Sequence, residues 1–113
     1  MRRKALKFWP ILAMLIICTA AARAEEAVDE RLTLLYQTFT PQTLIVPAGK
    51  KIKLTVVNKD STASEFASQA LDRSHAIPSN GQIYVYIGPL NAGTYTFFDD
   101  LHRMTASGKI VAK

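Results

Sequence analysis

TLIVPAGKKIKLTVVNKD, residues 43–60, carries the clearest pattern in the chain. Thr43 to Val46 is a short apolar, β-branched run and Pro47-Ala48-Gly49 is a turn. After it, Ile52, Leu54 and Val56 alternate with Lys51, Lys53 and Thr55. A strand turns successive side chains to opposite faces, so this alternation sets one face in a core and the other in water. Asn58-Lys59-Asp60-Ser61 ends the strand, because short polar side chains compete for the backbone hydrogen bonds that a ladder would use.

The same period extends outward in both directions. Upstream, Leu32, Leu34 and Tyr36 alternate with Thr33, Leu35 and Gln37 until Phe39 and Pro41 close the segment. The acidic EEAVDE before it, residues 25–30, reads as a frayed leader. Downstream, STASEFASQALDR (residues 61–73) is the one stretch with helical potential, Phe66, Ala70 and Leu71 sharing a side, and a loop or one short helix is expected there. His75 to Ile77, Gln82 to Ile87, Thr94 to Phe98 and Gly108 to Ala112 read as strands, separated by PSNG (78–81) and GPLNAG (88–93). About seven short strands with regular turn signals predict an all-β Greek-key sandwich or barrel. Tyr84, Tyr86, Tyr95, Phe97 and Phe98 are expected as core and cross-strand pairs rather than as a stacking platform for sugars or bases.

The N-terminus has a different character. MRRKALKFWPILAMLIIC runs from four cations into an apolar stretch, Phe8 to Cys18, and TAAARA follows with small residues at Ala22 and Ala24. That is the layout of a secretory signal peptide cut before Glu25, and the apolar run is short of the roughly 20 residues that span a bilayer. Ile17 stands where lipid attachment to Cys18 would need a small side chain. Residues 1–24 are thus read as a signal peptide and 25–113 as one small domain, exported to the periplasm, with no membrane insertion after cleavage. Five of the 14 Lys and Arg leave with the peptide, so the net charge of +5 vanishes and as many bases remain as the 9 acids. A neutral domain without a basic stripe has no electrostatic grip on nucleic acid. Its only cysteine also leaves, so neither a disulfide nor a thiolate metal site is open to it.

Two longer patterns resemble a known family. Phe39-x-Pro41-x-x-Leu44-x-Val46-x-Ala48-Gly49-x-x-Ile52-x-Leu54-x-Val56-x-Asn58 is similar to the front half of cupredoxin-like domains. Gly93-Thr94-Tyr95-Thr96-Phe97-Phe98-Asp99-Asp100-Leu101-His102, followed by Gly108-Lys109-Ile110-Val111, is similar to the back half. In blue-copper members the ligands are two histidines, a cysteine and a methionine. The resemblance sets Asp99 at the cysteine, His102 at the second histidine and Glu65 at or next to the first. Met104 follows too soon on His102 to match the family methionine, which precedes the glycine equivalent to Gly108. Without a thiolate the blue site is ruled out, and two carboxylates with an imidazole favour iron, type-2 copper(II) or manganese. Glu65-Phe66, Gly88-Pro89-Leu90 and the loop from Asp99 to Gly108 look most like the cupredoxin-like domains of bacterial periplasmic iron-uptake systems (EfeO type).

The resemblance therefore implies a periplasmic metal-binding protein that supports ferrous-iron uptake or metal handling, with iron-transport proteins as partners. Its ligands would be Glu65, Asp99 and His102, with Met104 or His75 optional, although His75 reads more readily as an edge-strand surface residue and Met104 equally as a hydrophobic plug over the loop. Asp99 shares the parity of Tyr95 and Phe97 and so points inward, where a buried charge needs a metal or a cation such as Arg103. Asp100, on the other parity, reads as a solvated turn residue. No Ser-His-Asp triad, glycosidase carboxylate pair or phosphate loop is present, so hydrolysis has no machinery, and enzymatic work is limited to an accessory part in ferrous-iron oxidation. A metal-free docking module for a transport complex is the alternative, and an electron-transfer partner of a copper enzyme a third reading.

Overall fold

The computed structural model describes residues 26–113, so the expected signal peptide and cleavage point lie outside the described residues. Nine strands, among the described residues, fall into two sheets and no helix is present. They are β1 (Val28–Leu35), β2 (Thr38–Thr40), β3 (Thr43–Val46), β4 (Ile52–Asn58), β5 (Ser64–Ser68), β6 (Arg73–Ile77), β7 (Gln82–Ile87), β8 (Gly93–Asp99) and β9 (Ser107–Ala112). One sheet has the order β2-β1-β4-β7 and the other β3-β9-β8-β5-β6. Parallel pairing of β1 with β4 and of β3 with β9 interleaves the two halves of the chain. The result is the expected Greek-key sandwich with two more strands than the turn signals suggest.

The core is the set of alternating positions. Leu32 and Leu34 of β1, Leu44 and Val46 of β3, and Ile52, Leu54 and Val56 of β4 meet Phe66, Val85, Ile87, Phe97 and Ile110 between the sheets. Each such side chain stabilises the fold by roughly 1.5–3 kcal/mol relative to exposure. Phe97 stands at the centre, edge-on to Phe39 at 5.0 Å and beside Phe66 at 5.3 Å. Gly108 is required here, since a Cβ would lie 2.6 Å from the Phe97 ring and 2.7 Å from the Gln42 carbonyl.

Three expectations need correction. Residues 64–68 are a strand, because burying Phe66 between β6 and β8 outweighs any helical tendency of the segment. The acidic leader is partly strand as well, since Val28, Asp29 and Glu30 pair with Ile52, Lys53 and Leu54. Tyr84 and Tyr86 are 52% and 59% exposed, on the outer parity of β7, where Lys53 lies 4.4 Å from the Tyr84 ring. Of the five aromatics read as core, Phe97 is buried and Tyr95 and Phe98 are half-buried.

Polar side chains hold the connections. The Asp60 carboxylate accepts from the N–H groups of Tyr36 (2.6 Å) and Gln37 (2.8 Å), both at positive φ, and so fixes the β1–β2 turn. Buried Asn58 donates to the carbonyls of Thr62 (2.9 Å) and Pro78 (3.2 Å) and accepts from Asp60 N–H (2.9 Å). At the corner between sheets, Arg73 of β6 donates through Nε and Nη2 to the Tyr86 carbonyl of β7, at 3.2 and 3.0 Å.

Candidate functional site

The site lies at the end of β8, where the strand runs into the loop that returns to β9. The side-chain alternation that buries Phe97 also buries Asp99, with no exposed surface at all. Asp99 sits opposite Phe66 in the β5–β8 pairing. The following turn is tied by His102 N–H to the Asp99 carbonyl (2.9 Å), and the loop by Asp99 N–H to the Ala106 carbonyl (2.9 Å) and Ala106 N–H to the His102 carbonyl (3.0 Å). Those bonds fold the chain back so that the His102 ring lies over the Asp99 carboxylate.

Every oxygen of that carboxylate is used. Oδ1 accepts from the N–H of Glu65 (2.9 Å) and of Leu101 (3.0 Å), and Oδ2 faces His102 Nδ1 at 2.6 Å. Burial would push the Asp99 carboxyl up. The donors from Glu65, His102, Ser64 and Leu101 outweigh it and hold the group below the ordinary aspartate range. The Ser64 hydroxyl adds to that lowering, yet its buried oxygen has no partner in hydrogen-bonding geometry. His102 itself is 20% exposed.

The other expected ligands are placed elsewhere. Glu65 alternates with Ser64 and Phe66 along β5, and because those two point inward its carboxylate points out. There it accepts from Ser74 Oγ at 2.7 Å, and only its backbone reaches Asp99. His75 shares the cross-strand row of Asp99 with Phe66 standing between them, and it is exposed. Met104 is 97% exposed. Arg103 does not neutralise Asp99: it pairs with Asp100 at 2.7 Å and stacks over Phe98 at 4.5 Å. The structure thus joins Asp99 and His102, and leaves the side chains of Glu65, His75 and Met104 apart. Ser64 and the Leu101 amide were missed in the sequence, although the alternation around Phe66 places Ser64 inward.

Among the described residues no three His, Cys, Asp or Glu side chains converge as a metal group. The residues present do not fit a blue copper centre, which needs a thiolate and an axial donor aimed at it. What they form is narrower: one imidazole held by one carboxylate beside a buried hydroxyl without a partner.

A β-sandwich of this topology, with a closing Asp–His loop where a copper loop would be, defines the class. The chain belongs to the cupredoxin-like domain family, whose model matches residues 8–112. An uncharacterized protein of Rickettsia prowazekii (strain Madrid E) is 32% identical over 87 residues, covering 77% of this chain and 70% of the relative. Among solved structures, auracyanin A, a "blue" copper protein of Chloroflexus aurantiacus, superposes with a TM-score of 0.65 at 15% identity, covering 78% of this chain and 100% of its own. Amicyanin of Paracoccus versutus gives 0.57 at 16% identity, covering 81% and 85%. At such identities these two likenesses establish the fold alone.

Proposed function

We propose that this is an exported metal-handling protein whose contact with the metal is His102, held in place by Asp99, serving iron or type-2 copper in a periplasmic uptake or handling system. The observation that carries the reading is the 2.6 Å contact between a fully buried carboxylate and a part-exposed imidazole, on the family's loop. His102 offers the nitrogen that such cations prefer, and Asp99 supplies negative charge and orientation. A bound copper(II) or iron would bring redox chemistry to this end of the sandwich. The protein's own part is to hold the ring, satisfy the carboxylate and present the metal to a partner such as an iron permease or periplasmic iron-binding protein.

Isothermal calorimetry of the exported form with Cu(II) and Fe(II) tests this. His102→Ala should weaken binding at least tenfold, and equal affinities for wild type and variant would refute it. A second reading, a metal-free docking module, is favoured by one specific observation: protein donors already satisfy both oxygens of Asp99. Elemental analysis of protein purified from its own periplasm separates the two, with stoichiometric metal supporting the first and consistently empty protein the second.

A further inference from the structure

The geometry points to His102 Nε2, at the surface, as the atom that takes the metal, with Asp99 a positioning residue rather than a ligand. This rests on the metal-handling reading and says where the cation sits and what must complete its shell. A blue-copper-like arrangement would put the cation inside, between the side chain at position 99 and the facing ring nitrogen. Here that space is closed: Oδ2 and Nδ1 are 2.6 Å apart, already a short hydrogen bond. Oδ1 is held by two backbone N–H groups, so turning the carboxylate toward a metal would orphan part-buried donors.

The carboxylate accepts, so Nδ1 donates, and in the neutral ring the lone pair is left on Nε2. Among the described residues Nε2 has no hydrogen-bond partner. Ser64 Oγ is the one buried side-chain polar atom among them that lacks a hydrogen bond, so the unpartnered Nε2 reaches solvent. An imidazole that gives one N–H to a carboxylate and turns its other nitrogen outward has the orientation of a metal-ligating histidine. A ligand with its support built and its front open is a one-point attachment.

One-point attachment has a functional consequence. With no three acid, histidine or cysteine side chains converging among the described residues, the remaining positions must be filled by water or by ligands from a second molecule. The cation suited to such a site is a borderline divalent ion that favours imidazole, and the partner is a protein with ligands of its own. The site is thereby fitted to receive and pass on a metal, not to store it.

The test is NMR of the 15N- and 13C-labelled exported protein, carrying His75→Gln so that His102 is the one histidine that reports, titrated with Zn2+ as a diamagnetic probe. Before metal, Nδ1 should carry the proton. On addition, Nε2 should shift while Nδ1 stays protonated and the Asp99 carboxyl carbon stays put. Asp99→Asn, checked for folding by circular dichroism, should weaken Zn2+ binding at His102 about tenfold. Deprotonation of Nδ1 or a shift of the Asp99 carboxyl on adding Zn2+ would overturn the surface site and leave the metal-handling reading standing. No response at either nitrogen up to millimolar Zn2+ would overturn both. Unchanged affinity in folded Asp99→Asn would remove the positioning role.

Discussion

Replacing Asp99 by alanine strips the acceptor from three donors at once, and the cost can be worked from their surroundings. The part-buried N–H groups of Glu65 and Leu101 lose their shared oxygen at the sandwich end. Each donor so orphaned costs about 1–3 kcal/mol. The His102 ring, part-exposed, can turn to water and so adds little. Relief of burying a charge returns some of the loss, which leaves a net destabilisation of about 3 kcal/mol. For a domain of this size that is a fall in Tm of roughly 12–24 °C. Thermal unfolding at pH 7 followed by circular dichroism gives the number directly. A fall of under about 4 °C would mean that the carboxylate does not organise the loop, and the reasoning about this pair would fail.

The acid limb of stability should carry the mark of the same group. The folded Asp99 carboxyl is held low, so its contribution is present above the unfolded value and lost as pH falls below the ordinary aspartate range. Urea midpoints between about pH 5 and 2 should decline in wild type and decline less in Asp99→Asn, and equal slopes would contradict this. Glu30 runs the other way: desolvation raises it, so what it contributes is greatest at low pH and fades as pH rises through its folded value. Asn58→Ala leaves two carbonyls and one N–H without their partner and should cost about 2–4 kcal/mol by urea denaturation. Gly88→Ala places a Cβ 2.6 Å from the Lys50 carbonyl at a φ of +87, and should lose more than about 1 kcal/mol in the same assay. Tyr84→Ser on the exposed face should shift stability by no more than about 1 kcal/mol.

The strands that could be read from residues alone were those with one wet face. Ile52 to Val56 and Gln82 to Ile87 alternate cleanly, and their ends fall where Asn58 and Gly88 put them. β5 was illegible because Ser, Glu and Ala carry no strand preference. Only its pairing with β6 and β8, remote in sequence, makes Ser64–Ser68 extended. The site divides the same way. That Asp99 points inward followed from the parity of Phe97, whereas its partner did not, because a loop of several residues decides which of Arg103 and His102 folds back. Glu65 was assigned by alignment at a place where a shift of one residue exchanges the faces, and the inward position belongs to Ser64.

Arg73 has a bearing on how this chain keeps to itself. A rim strand such as β7 shows unpaired backbone groups, and a neighbouring chain can dock on them and spread the sheet from molecule to molecule. The guanidinium occupies the Tyr86 carbonyl on that rim with two N–H groups and is itself fastened to the Leu71 and Asp72 carbonyls. It acts as a stopper at one open seam, a guard against fibre-like stacking.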